Sequence, residues 1–273
     1  MSRFFNRTRR SASIPARLWR ERRPYLVPVY FLLRASDLAR EGIDHSGSAA
    51  FADHIYAGRP SGRFGIGWLL DAVILRLPPA RAFRARYRFA RQELEALIHE
   101  RRHTQAAVEV LAVPCGLARE LFDLAAARQA GATPPLALHG LDLDAGLIAG
   151  LQVRARALPE VRFSVGDALD PTSYRGPYDA VVSLGFVEFL DDAQVEEFFS
   201  LVRGQLKPGG RLVTSGLRRE PISDYLLRQV GELFAHYRDG DDLCRLARAA
   251  GFAKTHTYRD RTGLLTMLVG EAG

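Results

Sequence analysis

Four short segments carry residue types whose spacing could do chemistry, and each closes a run of strand-forming residues. Val113-Pro114-Cys115-Gly116-Leu117-Ala118 follows the run 108–113. Gly116 has no Cβ, so backbone can approach a ligand there, at a tight turn into a helix. Gly140-Leu141-Asp142-Leu143-Asp144 ends a second run, where a carboxylate can accept two charge-assisted hydrogen bonds from ribose hydroxyls. Val165-Gly166-Asp167-Ala168 ends a third, where a carboxylate can accept from an adenine amino group while the next N–H faces a ring nitrogen. Ser183-Leu184-Gly185-Phe186-Val187-Glu188-Phe189 follows a fourth, where a substrate-facing loop belongs. Glu188 is the leading general base for an acceptor that arrives protonated, and Tyr225, His236 and Tyr237 are further candidates. His99-Glu100-Arg101-Arg102-His103 has the i, i+4 histidine spacing of a zinc site. Its two internal arginines would repel a dication, so no metal is expected.

These segments need strands that end side by side. From Val108 onward strands are predicted over 108–113, 136–143, 161–165, 178–184, 211–215, 253–258 and 264–269. Helices are predicted over 117–129, 145–157, 194–206 and 243–250, the third capped by Asp191 or Asp192 and the last by Asp241 or Asp242. A loop is predicted over 131–135, and Lys207-Pro208-Gly209-Gly210 reads as a turn. Alternating strand and helix implies an α/β fold: a Rossmann-like, mostly parallel seven-stranded sheet with helices on both faces. A terminal hairpin makes the last strand antiparallel. Ligands of such sheets bind beyond the carboxyl ends of the strands. This domain is expected over residues 106–273.

The front third differs. Residues 1–105 carry 20 Arg against 9 Asp and Glu, whereas 106–273 carry 18 Lys and Arg against 22 acids. The segment 1–105 reads as a basic, mostly helical extension, Arg-rich over 1–23 and expected to lid the acceptor pocket, particularly over 14–56. Helices are expected over 25–41, near 51–56 within a loop at 42–67, and over 68–77, where Pro78-Pro79 ends the helix. A strongly basic helix over 80–103 has Phe83, Tyr87, Ala90, Leu94, Leu97 and Ile98 on one face and a solvated basic face. The excess charge suggests an anionic partner, phospholipid, nucleic acid or an acidic substrate, as well as a plain solvated surface. The longest apolar run, residues 25–33, contains Pro28 and is far below the ~18 residues of a membrane span. It follows a basic run that includes Arg9-Arg10, but no small-residue cleavage site follows it, so it does not read as a secretory signal. Two cysteines, Cys115 and Cys244, cannot build a disulfide framework and point to a reducing, cytoplasmic setting.

Taken together in order and spacing, five segments resemble the class I S-adenosylmethionine-dependent methyltransferases over about residues 106–273. They are Val108-Glu109-Val110-Leu111-Ala112-Val113-Pro114-Cys115-Gly116, Leu141-Asp142-Leu143-Asp144, Gly166-Asp167-Ala168, Tyr178-Asp179-Ala180-Val181-Val182-Ser183 and Leu206-Lys207-Pro208-Gly209-Gly210-Arg211-Leu212-Val213. The resemblance implies S-adenosyl-L-methionine as methyl donor and S-adenosyl-L-homocysteine as product. It implies that Gly116, beside Pro114 and Cys115, lines the methionine end. Asp142 with Leu143 would hold the ribose, Asp167 with Ala168 the adenine, and Ser183, Leu184, Gly185 and Phe186 would border the methyl group. The chain departs from the family pattern at Ala112, where an acid is usual, and at Pro114 and Ala118, where glycines are usual. Glu109 lies three residues earlier on the strand, on the opposite face, and does not replace that acid.

Asp44-His45-Ser46-Gly47-Ser48 to Asp53-His54-Ile55-Tyr56 is similar to a stretch preceding the core in a group of bacterial methyltransferases, relatives of which occur fused to a lipase-like hydrolase. By association this implies a lipid-related acceptor. A dehydrogenase is disfavoured because Arg119 stands where its last glycine should pack. The expectation is therefore a cytoplasmic methyltransferase, peripheral to the membrane where its basic extension meets lipid, acting on a small-molecule or lipid-like acceptor. The alternatives are an RNA methyltransferase and a non-catalytic module that binds S-adenosylmethionine or adenosine.

Overall fold

The computed structural model describes residues 13–45, 48–62, 65–103, 106–129 and 134–273. The Arg9-Arg10 pair, Ser46-Gly47 and most of the loop expected at 131–135 lie outside the described residues. The chain divides into two compact units: residues 1–84 with 219–235, and residues 85–218 with 236–273.

The second unit holds a seven-stranded sheet in the order β3-β2-β1-β4-β5-β7-β6. Its strands are β1 (Val108–Ala112), β2 (Leu136–Asp142), β3 (Val161–Val165), β4 (Tyr178–Ser183), β5 (Leu206–Leu217), β6 (Lys254–Arg259) and β7 (Leu265–Glu271). β1 pairs in parallel with both β2 and β4, and β4 with β5, while β7 runs antiparallel to β5 and β6. The order reverses at β1, so the crevice for a ligand falls beyond the carboxyl ends of β1 and β4. The central strands read as continuous apolar runs because both faces are covered: every residue of β4 is buried. Helices α7 (Arg119–Gln129) and α8 (Ala145–Arg154) pack on β2 and β3, α9 (Asp192–Gly204) on β5, and α11 (Gly240–Ala249) on β6 and β7.

Several local expectations are corrected. Lys207-Pro208-Gly209-Gly210 is no separate turn. It is taken into β5, whose register with β4 slips from Tyr178↔Leu206 to Ala180↔Arg211. Asp191 caps α9, as one of the two alternatives had it. α11 is capped by Asp239, not by Asp241 or Asp242. The Asp239 carboxylate accepts from both of their N–H groups, and Asp242 returns a bond to the Asp239 N–H. Apolar periodicity begins only at Leu243, so the polar first turn left no trace in it.

The first unit is helical: α1 (Ile14–Arg20), α2 (Leu26–Leu33), α3 (Asp37–Asp44), α4 (Ala49–Ala57), α5 (Ile66–Arg76), the start of α6 (Pro78–Glu100) and α10 (Pro221–Val230). The helix expected over 25–41 is two helices, because the Ser36 hydroxyl accepts the Ala39 N–H and opens a new N-terminus. Pro78-Pro79 ends α5 as expected and also begins α6: proline fits the first helical turn, whose N–H groups lack internal partners. Leu38, Ile55, Leu75 and Ala80 form the core of this unit, with Phe51, Ile74 and Phe83 against it. α10 joins it through Arg17, which pairs with Glu232 at 3.0 Å and also bonds the Gln229 carbonyl. The compact units thus divide within α6, ahead of the 105/106 boundary expected from composition, and the segment 219–235 falls with the first.

Candidate functional site at the carboxyl ends of the strands

β1 delivers the chain to a turn whose backbone is fastened to its neighbours. The Val113 N–H donates to Val182 O, and the Cys115 N–H donates to Leu141 O at 2.8 Å. The Ala118 N–H closes the turn on Cys115 O at 2.8 Å. Gly116 adopts φ +49°, which glycine takes without penalty. Its N–H donates to Asp142 Oδ2 at 3.0 Å, and the Asp144 N–H donates to Oδ1 of the same carboxylate at 3.1 Å. Asp142 therefore points from the end of β2 toward the glycine turn of β1. Burial raises its pKa, opposed by the N–H groups of Asp144 and Gly116. Burial, then the charge of Asp142, pushes the Cys115 thiol well above its ordinary range. Cys115 itself is a buried free cysteine beside Gly116.

At the end of β3, Gly166 fits where a Cβ would come within 2.7 Å of Leu141 and Ser173. Ser173 Oγ accepts the Asp167 N–H at 3.1 Å, and the Leu169 N–H donates to Asp167 Oδ1 at 3.0 Å. Ala168 is buried, its carbonyl accepting from the Tyr174 hydroxyl at 2.6 Å. β2 and β3 pair in register with Asp142 opposite Val165, so Asp142 and Asp167 end adjacent strands. Leu143 and Val165, apolar residues of the same edge, are 48% and 53% exposed. Val165 heads the third segment named from sequence, whereas Ser173 is not singled out there.

At the end of β4, Ser183 is fully buried and its Oγ has no hydrogen-bond partner among the described residues, while its carbonyl accepts from Thr214 Oγ1 at 2.7 Å. Gly185 has φ +78°, and a Cβ there would lie 2.7 Å from Arg86 Nη1. Glu188 sits in a 3₁₀ turn over Val187–Phe189 and is only 2% exposed. Its Oε1 accepts from Arg86 and from Ser215 Oγ, each at 3.4 Å, and Oε2 has no hydrogen-bond partner among the described residues. Burial raises its pKa and the Arg86 charge only partly offsets this. The His236 N–H ties the Glu188 carbonyl at 2.7 Å. The basic face expected to be solvated on α6 is thus broken at Arg86, which is 2% exposed because it meets Glu188. Tyr225 lies on α10 of the helical unit, its hydroxyl bonded to that of Tyr25 at 2.6 Å. The structure brings Gly116, Asp142, Leu143, Asp167 and Ala168 to one edge, with Ser183, Leu184 and Gly185 following the neighbouring β4.

A family model described as "Putative methyltransferase" matches residues 12–271. Among solved structures, the chain is similar to a "possible exported protein" from Bordetella parapertussis, at 23% identity and TM-score 0.73, covering 88% of this chain and 85% of that one. It is also similar to magnesium protoporphyrin IX methyltransferase from Synechocystis PCC 6803 with bound SAH, at 18% identity and TM-score 0.54, over 85% of this chain and 98% of the other. A third likeness is to the CMeT domain of the citrinin polyketide synthase, at 15% identity and TM-score 0.57, over 93% and 68% of the two chains. At these identities the likeness is one of fold. No curated protein matches the sequence.

Proposed function

The chain belongs to this methyltransferase family, and from that premise we propose that it transfers a methyl group from S-adenosylmethionine to a small-molecule or lipid-like acceptor. The observation that carries the reading is the Asp142 carboxylate fixed between the N–H groups of Gly116 and Asp144. A carboxylate so held keeps lone pairs for two ribose hydroxyls and needs no reorganisation to accept them. Leu143 and Val165 supply exposed apolar surface for an adenine ring, Asp167 and Ala168 its polar edge, and the turn at Pro114, Cys115 and Gly116 the methionine end.

When bound, S-adenosylmethionine supplies a methyl group already electrophilic on a positive sulfonium. What remains for the chain is to align the acceptor and keep water away, an effect worth about 7–11 kcal/mol. Ser183, Leu184 and Gly185 border that position. Glu188 was the leading base by sequence. Its enclosure against Arg86 and Ser215 supports instead a role in holding the β4 loop, with proton removal left to the acceptor's own chemistry. Tyr225, whose hydroxyl is shared with Tyr25, stays a candidate acid or base beside His236 and Tyr237.

Contact of the basic segment 1–105 with an anionic surface, membrane or nucleic acid, belongs to the same reading. So does a cytoplasmic location, which two free cysteines favour. Titration calorimetry with S-adenosylmethionine tests the proposal: one saturable site is expected, and no heat of binding would contradict it.

A further inference from the structure

Helix α5 turns an aspartate inward beside its core residues and a row of aliphatic residues outward. Its inward positions are Gly67, Asp71, Ala72 and Leu75, all buried. Asp71 is the one acid between residues 57 and 89, against seven arginines in the same stretch. It is fully enclosed and engaged internally by the Ser36 hydroxyl and by the N–H groups of Leu38, Ser61 and Gly62, at 3.3, 3.0 and 2.9 Å for the three amides. The outward positions are Ile66, Leu69, Val73 and Leu77, which are 63%, 57%, 47% and 47% exposed. Steps of three, four and four residues place them in one stripe about 16 Å long. Arg59, Arg76 and Arg81 of the same unit are exposed, and with Asp71 buried this stretch presents no carboxylate to solvent.

We propose that this stripe is a membrane-docking face. The helix lies in the headgroup layer of an anionic bilayer, the four aliphatic side chains reach the acyl boundary, and Arg59, Arg76 and Arg81 meet lipid phosphates. Charge complementarity decides the partner. Two copies of this face would bring arginines against arginines. A nucleic acid would use the arginines but gain nothing from Ile, Leu and Val, which do not stack on bases. A bilayer uses both. The assignment narrows the anionic contact proposed above to one surface and one partner. It does not depend on methyl transfer, since binding is read without any methyl donor.

The test is co-sedimentation of the full chain with vesicles of phosphatidylcholine alone and of an equimolar mixture with phosphatidylglycerol. The chain is expected to sediment with the anionic vesicles only, and less so at high salt. Leu69→Asp with Val73→Asp should lower partitioning about a hundredfold, the loss of two buried aliphatic side chains. Arg76→Glu with Arg81→Glu should lower it about tenfold or more. Val153→Asp, at an apolar residue of α8 that is 56% exposed, should leave it unchanged. If the aspartate pair lowers the melting temperature, Ile66→Ser with Leu77→Ser at the ends of the stripe gives the same readout. Absence of binding to anionic vesicles, equal binding by the stripe variants, equal loss in Val153→Asp, or RNA binding that the stripe variants lose in place of vesicle binding would each overturn the assignment.

Discussion

Asp71 of the helical unit and Glu188 of the sheet unit are both almost completely enclosed, and the two carboxylates are held in opposite ways. Asp71 of the helical unit sits in a cradle of neutral donors: one hydroxyl and three backbone N–H groups. Burial is the largest single influence on it and pushes its pKa up. The bonds from Ser36, Ser61 and Leu38 and the nearby His54 together outweigh burial, so its pKa lies below the ordinary value of 3.8. Glu188 of the sheet unit has a full positive charge beside it in Arg86, yet its pKa lies above the ordinary value of 4.5. Arg86 lies at 3.4 Å from one oxygen, and among the described residues the other has no hydrogen-bond partner. A preset cradle of amides stabilises a buried charge better than one loosely placed counter-ion does, because each short bond replaces a lost water. Asp71 thereby joins α3, α5 and the 61–62 segment. Glu188 is held instead against Arg86 and Ser215.

The comparison is most severely tested at Arg86. Arg86→Leu leaves Glu188 buried without its counter-charge, and the expected loss of stability is about 3–5 kcal/mol in denaturant unfolding. A change within measurement error would show that the pair is not enclosed as described. Asp71→Asn keeps the shape but loses the charge-assisted bonds, and about 2–3 kcal/mol is expected in the same measurement. A neutral result there would mean that the cradle does not hold an ionised group.

The smallest effect is in the pH dependence, where the two groups have opposite signs. The folded state holds the Glu188 proton more tightly than the unfolded chain does, so stability is lost as pH rises from 4.5 through its higher folded value. Asp71 contributes stability above 3.8 that is lost as pH falls through its lower folded value. Glu188→Gln should flatten the stability profile on the first side and Asp71→Asn on the second. Identical profiles for the two variants would remove the distinction between the sites.

Much of the sheet unit was legible because strand and helix announce themselves by apolar period and because strand ends carry the chemistry. Gly116, Asp142 and Asp167 are placed at strand ends by that reading, and the structure has them at the ends of adjacent strands. What the period could not show were contacts between distant segments. Arg86 reads as one more charge on a basic helix, and only its pairing with a residue 102 positions away makes it a buried one. The cap at Asp239 was hidden by a first turn without apolar markers. In the helical unit, α5 misled in the other direction. Its apolar composition signalled a helix, but composition does not say that the aliphatic face turns outward while the aspartate turns in.

The central claim is that the methyl donor lies across the carboxyl edge of β1, β2 and β3, gripped first by Asp142. Calorimetric titration of Asp142→Ala beside the unaltered chain tests it most directly. Loss of charge-assisted bonds to two hydroxyls predicts S-adenosylmethionine affinity lowered about tenfold to a hundredfold or more. An unchanged affinity in a folded Asp142→Ala protein would contradict the account.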